Sequence, residues 1–363
     1  MWILRPDALI ALEDPLVKKG LPRYVQIVKN KLPAKFQIAK KIETKNFENL
    51  SQDDAWKLHS ELMKKFYDTQ RKIDEGKISF EKLKNPKVSL LDLKIFLAKK
   101  ILEKCELCER KCKVNRIKGE RGFCKAGLEW KIFGAHAHYG EEAELVPSGT
   151  IFQAACTMRC VYCQNAPESV SPELGETWEI EEVVNWIENS KKEGMRNINW
   201  VGGSPTCWLF NILSALKRVN VNIAQIWNSN SYYSEKTAKL LDGIIDVYLL
   251  DFRYFNEKCA VRLSSAPNYP EVAKRNHLLA SKAGELLIRI LVMPNHIECD
   301  AKPILKWIKE NLGEWTRVNI LSQYRPCWKA FEFEEISRPL SYREWLSVVE
   351  YAKKIGLKNL VEG

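Results

Sequence analysis

The chain has 363 residues, of which 45% are apolar and 28% are charged. This composition predicts one or two packed domains and excludes a disordered protein. No apolar run approaches the roughly 18 residues of a membrane span, and Arg5 and Asp7 interrupt the first apolar segment too early for a secretory signal. We therefore expect a cytoplasmic protein with no membrane partner, whose eleven cysteines stay reduced and serve metal or redox chemistry.

The formal net charge of +11 is concentrated near the beginning of the chain. Residues 1–104 contain 23 Lys and Arg against 14 Asp and Glu, whereas the rest of the chain contains 34 against 32. Such a region binds nucleic acid or another acidic partner in some proteins. The alternative is a solvated helical surface that is rich in lysine.

The basic region, residues 1–104, has the pattern of a mostly helical segment. Two stretches, SQDD at 51–54 and SLLD at 89–92, place an acid three residues after a serine, a variant of the capping box that opens a helix. The second of these helices runs from Leu90 to about Glu103 and leads directly into residues 105–148. We interpret that segment as a loop-rich metal-binding unit with four cysteines.

Residues 149–363 alternate between short apolar, β-branched runs and longer amphipathic stretches. The predicted strands are 150–156, 197–203, 222–228, 246–252, 286–294 and 317–324. The predicted helices lie near 178–193, 207–219, 234–242, 270–283, 302–311 and 341–355. This alternation predicts an α/β fold with right-handed crossovers and a parallel sheet. Because six units are fewer than the eight of a closed barrel, we expect an open, partial (β/α)6 barrel of the TIM type.

Three cysteines follow the first predicted strand with the spacing C-x3-C-x2-C, in the stretch CTMRCVYC that contains Cys156, Cys160 and Cys163. Loops after the strands carry the chemistry of βα barrels. Thiolates bind iron–sulfur clusters, and three of them leave one iron of a 4Fe–4S cluster without a protein ligand. An iron with an open position is able to coordinate a small molecule. The alternatives are a three-thiolate zinc site and incidental cysteines.

The stretch CTMRCVYC resembles the cluster motif of the radical S-adenosylmethionine (SAM) enzymes. In that superfamily the open iron is chelated by the amino and carboxylate groups of SAM. The reduced cluster cleaves SAM to methionine and a 5′-deoxyadenosyl radical, which abstracts hydrogen from the substrate. The resemblance implies a 4Fe–4S cluster and SAM as cofactors, a radical SAM barrel, and an electron donor such as ferredoxin or flavodoxin.

From Cys105 to about Ile355 the chain is similar to homologues of pyruvate formate-lyase activating enzyme. The stretches that carry this resemblance are CELCERKCKVNR, HYGEEAELVPSGTIFQAACTMRCVYCQN, NINWVGGSPT, NSNSYYSEKTAKLLDGIIDVYLLDFRY and LSQYRP. Residues 1–104 are not covered. The resemblance implies an oxidoreductase that resembles glycyl-radical-activating enzymes.

The resemblance also implies that SAM contacts residues at the strand ends. Gly202 and Gly203 correspond to a turn whose backbone meets the methionyl amino group, while Ser204 replaces the acid that is common in the family. The remaining implied contacts are Asn228 and Asn230 at the ribose, Asp251 and Arg253 near the sulfonium and carboxylate, Arg289 against SAM, Gln323 with Tyr324 at the last strand, and Tyr162 beside adenine. Ordinary turns, a simple Asp251–Arg253 ion pair and a packing role for Tyr162 are the structural alternatives. An arginine in a buried strand, such as Arg289, requires an anionic partner.

Cys105, Cys108, Cys112 and Cys124 have the spacing C-x2-C-x3-C-x11-C. Four thiolates close a tetrahedral site, so this segment is predicted to hold either structural zinc or a second 4Fe–4S cluster that passes electrons to the first. The other four cysteines are interpreted as small buried hydrophobes, although Cys207 follows the glycine turn near the implied SAM site. His136 and His138 lie between the two clusters in sequence and are interpreted as structural.

Three hypotheses follow from the sequence. The first is a radical SAM enzyme that abstracts hydrogen from a substrate, such as a glycyl residue of a partner protein. The second keeps the chemistry but has RNA as the substrate, held by the basic residues 1–104. The third is a non-catalytic barrel with structural zinc at both cysteine groups.

Overall fold

Eight strands form one sheet in the computed structural model, which describes residues 5–361. Residues 1–4 of the predicted helical region and residues 362–363 of the predicted barrel lie outside the described part. The strands are β1 (Lys131–His138), β2 (Ser148–Gln153), β3 (Glu176–Thr177), β4 (Asn197–Gly202), β5 (Ala224–Ser229), β6 (Val247–Asp251), β7 (Glu285–Leu291) and β8 (Arg317–Leu321). Their order is β3-β1-β2-β4-β5-β6-β7-β8, which leaves β3 and β8 as the two edges of an open sheet.

The six predicted strands correspond to β2 and β4–β8, and they pair in parallel in chain order. All residues of β5 and nearly all of β6 are buried, as expected for strands that are covered on both faces. The antiparallel strands β1 and β3 were not predicted. In β1 the register shifts between Ile132 and Gly134, so the strand lacks the regular alternation that sequence reading requires.

Thirteen helices surround the sheet within residues 5–361. They are α1 (Pro6–Ala11), α2 (Pro15–Gly20), α3 (Pro22–Val28), α4 (Lys35–Ala39), α5 (Gln52–Asp74), α6 (Leu90–Glu103), α7 (Ile180–Lys192), α8 (Leu209–Arg218), α9 (Glu235–Leu241), α10 (Glu257–Ser264), α11 (Tyr269–Ala283), α12 (Lys302–Asn311) and α13 (Tyr342–Lys354). The predicted capping residues begin two of them, since Ser51 accepts from Asp54 N before α5, and Ser89 and Asp92 form a capping box before α6. The short helix α10 was not predicted.

The early helices attach to the N-terminal ends of the barrel strands. Glu285, the first residue of β7, accepts a hydrogen bond of 2.7 Å from the backbone of Tyr24 in α3. Asp246, just before β6, accepts one of 2.9 Å from the backbone of Lys35 in α4. The phenol of Tyr24 accepts a further bond of 3.0 Å from Asn197 in β4. The helices α1–α4 therefore lie at the end of the barrel opposite to the loops that follow the strands.

Within residues 5–361 no helix combines the length and the apolar character needed to cross a bilayer.

Candidate active site

A cavity of about 1100 Å³ extends through the open barrel, and the three-cysteine loop forms part of its wall. Cys156, Cys160 and Cys163 all line it. The loop is held by backbone hydrogen bonds, from Arg159 N to Ser264 O (2.9 Å) and from Lys329 N to Val161 O (2.8 Å). The cysteines are therefore presented to the cavity by a fixed loop just beyond β2.

Polar groups approach the sulfur atoms of all three cysteines. Cys156 Sγ accepts hydrogen bonds from Met158 N at 3.4 Å and from Asn230 Nδ2 at 3.6 Å. Cys160 Sγ accepts from the Ser264 hydroxyl at 3.0 Å and from Arg253 at 3.9 Å. The Ser169 hydroxyl lies 3.2 Å from Cys163 Sγ. Hydrogen bonds to sulfur are among the features that tune iron–sulfur clusters. This donor set fits a 4Fe–4S cluster held by three thiolates.

The surroundings of Cys156 favour its neutral thiol when no cation is bound. Burial, and then the neighbouring thiols of Cys160 and Cys163, raise the pKa of Cys156 to about 12. Three thiolates at this position would repel one another in a medium of low dielectric. A bound metal centre removes this penalty, because it deprotonates the thiols that coordinate it.

Nine of the eleven residues implied as SAM contacts line the same cavity as the cysteines. They are Tyr162, Gly202, Gly203, Asn228, Asn230, Asp251, Arg253, Arg289 and Gln323. Ser204 does not line it; its side chain is fully buried, and its hydroxyl has no hydrogen-bond partner within the described residues. Tyr324 is also buried and donates to Ile336 O at 2.7 Å, which is a structural contact.

The two glycines after β4 are required by the protein's own backbone. A Cβ atom on Gly202, whose φ is +117°, would lie 2.2 Å from the backbone of Gln153, and one on Gly203 would lie 2.0 Å from Ala155 O. Gly203 N already donates to Gln153 O at 2.7 Å. The glycines thus let the end of β4 pass close to the end of β2, and the amide of Gly203 is occupied within the chain.

The loop after β6 places a cation beside the cysteines. Arg253 forms an ion pair with Asp251 at 2.5 Å and lies 3.9 Å from Cys160 Sγ. The hydroxyl of Tyr162 lies 2.6 Å from that of Tyr254, so this tyrosine is held from within the chain. The ion pair and the tyrosine pair form one side of the cavity next to the cysteine loop.

Arg289 forms ion pairs with Glu141 and with Glu142, the latter at 2.6 Å. Burial alone would raise the pKa of Glu141, but the charge of Arg289 and hydrogen bonds from His138 and Arg289 lower it to about 2. The anionic partner that a buried arginine requires is therefore present in the chain.

Polar side chains of neighbouring strands complete this network. Asn199 of β4 donates to Glu141 at 2.9 Å, and Asn319 of β8 donates to Glu142 at 2.8 Å. Sequence reading missed both glutamates and both asparagines. An asparagine inside a buried parallel strand, as in NINW or RVNIL, is the signal that indicates such a network, because a buried amide needs a partner.

The two histidines of the HAHY stretch have different surroundings. His138 lines the cavity and lies 3.2 Å from Glu141, whereas the ring of His136 stacks on that of Phe152 with the centroids 5.0 Å apart. His138 therefore belongs to the glutamate network, while the contacts of His136 are those of a packing residue.

The four-cysteine segment encloses a second, much smaller cavity of about 10 Å³. Its lining includes Cys105, Cys108, Cys112 and Cys124, together with Cys207 and with Thr157 of the three-cysteine loop. Hydrogen bonding with the Cys207 thiol lowers the pKa of Cys124 to about 6. Cys207 thus lies with the four cysteines rather than in the large cavity, and the two cysteine groups are separated by one loop.

Comparisons with known proteins agree with this site. Residues 150–308, which include the three cysteines and the strand that carries Arg289, match the family model of the Radical SAM superfamily. The uncharacterized protein MJ0674 of Methanocaldococcus jannaschii is 40% identical over 343 residues, which cover 93% of this chain and 98% of that protein.

Solved structures are similar at a low level. SuiB of Streptococcus suis bound to precursor peptide SuiA has 16% identity and a TM-score of 0.43, over 57% of this chain and 46% of SuiB. HydG, a maturase of the FeFe hydrogenase, has 13% identity and a TM-score of 0.40, over 91% of this chain and 68% of HydG. The family match shows that residues 150–308 of this chain are a Radical SAM superfamily domain.

Proposed function

We propose that this protein is a cytoplasmic radical SAM enzyme that abstracts a hydrogen atom from a backbone glycine of a partner protein. The observation that carries the reaction class is the loop after β2, which turns three cysteine sulfurs with their hydrogen-bond donors toward a cavity of about 1100 Å³. A 4Fe–4S cluster held there by Cys156, Cys160 and Cys163 would supply the electron for reductive cleavage of SAM, which yields methionine and the 5′-deoxyadenosyl radical that abstracts hydrogen from the substrate. Ferredoxin or flavodoxin is the proposed source of the electron.

The side chains of the cavity have three roles in this proposal. Cys156, Cys160 and Cys163 bind the cluster, while Arg253 and Asn230 stabilise the negative charge on the sulfurs. Asp251, Asn228, Gln323 and the backbone around Gly202 orient SAM. Apolar side chains keep water away from the reacting atoms, and they include Phe152, Val201, Leu291 and Ile320.

Arg289 has a supporting role rather than a direct one in this proposal. Since Glu141 and Glu142 already neutralise it, the arginine and its partners form the polar floor of the cavity. Arg5, just before α1, Ile10 of α1 and Val17 of α2 also line the cavity. The substrate is therefore proposed to enter from the end of the cavity that carries the cysteines.

A protein substrate is supported by the surface around that entrance. Gln164 and Gln323 are exposed at the rim of the cavity. The loop after β8 is tied to the cysteine loop through Lys329 and exposes Trp328 (44%) and Phe331 (66%). Exposed aromatic side chains beside a cavity are typical of surfaces that bind other proteins.

The RNA alternative has less support from the arrangement of the charges. The helices α1–α4, which belong to the basic region, attach to the N-terminal ends of the strands, away from the cysteine loop. RNA bound to these helices would lie at the end of the cavity opposite to the cysteine loop. The non-catalytic alternative has less support because the chain contains a Radical SAM superfamily domain.

We further propose that the four-cysteine segment binds one zinc ion rather than a second cluster. Its cavity of about 10 Å³ is far smaller than the cavity beside the three-cysteine loop. Four thiolates complete a tetrahedral zinc site and leave no position for a substrate. In this role the ion holds the four-cysteine segment in place beside Thr157 of the three-cysteine loop.

Deuterium transfer tests the proposed substrate. Reduced protein and SAM are incubated without oxygen in an extract of cells grown on glycine deuterated at Cα, and the 5′-deoxyadenosine is analysed by mass spectrometry. The proposal predicts deuterated product whose formation is abolished by prior protease treatment of the extract and unaffected by ribonuclease. Loss of the label after ribonuclease alone would instead identify RNA as the substrate.

A further inference from the structure

A third group of possible metal ligands lies outside both cysteine clusters. Cys259, His296, Cys299 and Asp300 each direct one ligand atom into a region where all four atoms lie within 4.8 Å of one another. Cys259 belongs to α10, and Cys299 and Asp300 belong to a π-helical turn, Ile297–Ala301, that precedes α12. The group joins segments that are far apart in sequence, as metal sites commonly do. Sequence reading treated both cysteines as isolated hydrophobes.

Two of three distances within the group match those between ligands of a tetrahedral ion, and the third is that of a hydrogen bond between His296 and Asp300. His296 Nδ1 lies 2.9 Å from Asp300 Oδ2, and Cys299 Sγ lies 3.6 Å from the same nitrogen and 3.5 Å from the same oxygen. Ligands bound to zinc at 2.0–2.3 Å in a tetrahedron are separated by roughly 3.3–3.8 Å. Two thiolates, one imidazole and one carboxylate are a ligand set that zinc accepts.

The surroundings orient the carboxylate and the imidazole. The second oxygen of Asp300, Oδ1, accepts hydrogen bonds from Phe255 N at 2.7 Å and Asn256 N at 2.9 Å, which leaves Oδ2 for the group. Such outer contacts are a regular feature of metal ligands. His296 is 4% exposed, and its Nε2 has no hydrogen-bond partner within residues 5–361, so Nδ1 is the nitrogen directed at the other three side chains.

We propose that Cys259, His296, Cys299 and Asp300 bind one zinc ion and that this ion is structural. The site is separate from the proposed SAM chemistry, since none of its four residues lines the large cavity. Binding displaces the protons of the two thiols and the proton between His296 and Asp300. No electron transfer is involved, because zinc has no redox chemistry.

The position of this group gives the ion a defined role. Helix α10 begins beside Cys259 and ends at Ser264, whose hydroxyl donates to Cys160 Sγ and whose carbonyl accepts from Arg159 N. At the other side, Asp300 holds the backbone of the loop that follows Arg253. The ion therefore fixes both ends of the segment that supports the three-cysteine loop.

The metal content of the whole chain tests this assignment. Protein produced with added zinc and purified without oxygen is compared with the Cys259→Ser/Cys299→Ser variant and with a Cys327→Ser control. The proposal predicts that the double variant loses one equivalent of zinc while its iron content stays unchanged, and that the control loses none. Unchanged zinc in the double variant, or an equal loss in the control, would overturn the proposal.

A measurement on the unmodified chain covers the case in which the double variant does not fold. Alkylation followed by peptide mass spectrometry is carried out before and after treatment with a zinc chelator. Cys259 and Cys299 are expected to react at least tenfold more slowly than Cys327 before treatment, and at comparable rates after it. A disulfide between Cys259 and Cys299, or reactivity that the chelator does not change, would contradict a zinc site. Neither readout depends on SAM cleavage, so failure here is distinct from failure of the proposed function.

Discussion

The two cysteine-rich regions of this protein differ in what their sulfur atoms face. Cys156, Cys160 and Cys163 face a cavity of about 1100 Å³, and each sulfur lies near a polar group supplied by the barrel. The four cysteines from Cys105 to Cys124 enclose about 10 Å³ together with Cys207. A metal centre with an open coordination position needs a cavity beside its ligands. A closed structural site needs only ligands that surround the metal.

The spacing of cysteines in the sequence identifies a cluster of thiols but does not assign its chemical role. Polar side chains at the ends of β4, β5 and β6 share the cavity with the three-cysteine loop. The four-cysteine segment lies directly behind the loop, with Thr157 between them.

Removing a sulfur from the three-cysteine loop is expected to have the largest effect on SAM cleavage. The Cys160→Ser substitution leaves two thiolates, which are too few to hold the cluster, so 5′-deoxyadenosine formation falls below detection. Anaerobic SAM-cleavage assays and iron analysis measure this, with Cys327→Ser as the matched control that retains activity. Full turnover in the Cys160→Ser variant would mean that the open site has been assigned to the wrong residues.

Loss of the ion pairs between Arg289 and its two glutamates is expected to lower the free energy of unfolding. The Arg289→Gln substitution leaves two buried carboxylates without their cation and should lower the free energy of unfolding by about 3–5 kcal/mol. The control is Arg338→Gln, which removes a more exposed ion pair with Glu344 and should cost about 0–1 kcal/mol. Denaturant titrations that give equal losses for both variants would remove the structural role assigned to Arg289.

Removing a sulfur from the four-cysteine segment is expected to affect metal content more than the rate of SAM cleavage. The Cys124→Ser variant should lose the zinc of that site, while SAM cleavage falls by less than tenfold because the open cluster remains. Zinc and iron analysis with the same cleavage assay distinguishes the possibilities. If iron is lost instead and cleavage stops as in Cys160→Ser, the segment holds a second cluster that passes electrons to the first.

The smallest predicted effect concerns a single hydrogen bond to a sulfur. The Ser264→Ala substitution removes the hydroxyl that donates to Cys160 Sγ at 3.0 Å. Because this bond stabilises the more negative, reduced cluster by about 1 kcal/mol, the midpoint potential should fall by roughly 40 mV. Redox titration followed by electron paramagnetic resonance measures the shift, and Ser281→Ala, on the surface of α11, provides the control. An unchanged potential in Ser264→Ala would show that this hydroxyl does not tune the sulfur.

Much of the fold and the site was predictable from the sequence because the barrel repeats a regular pattern. The six parallel strands and the two capped helices follow from periodicity and from capping residues, and the cavity-lining set around Asn228 and Arg253 follows from the resemblance to the radical SAM enzymes. The irregular features were not predictable. They include the bulged strand β1, the short helix α10 and the glutamate partners of Arg289, which come from a loop distant in sequence. Cys207, Cys259 and Cys299 likewise acquire neighbours only through tertiary packing.

The most direct test of the central claim is a spectroscopic titration of the reduced, anaerobically reconstituted protein with SAM. The account predicts a 4Fe–4S signal that shifts on addition of SAM and saturates at one equivalent, because the iron without a cysteine ligand coordinates the added molecule. A signal that stays the same at saturating SAM would contradict the account.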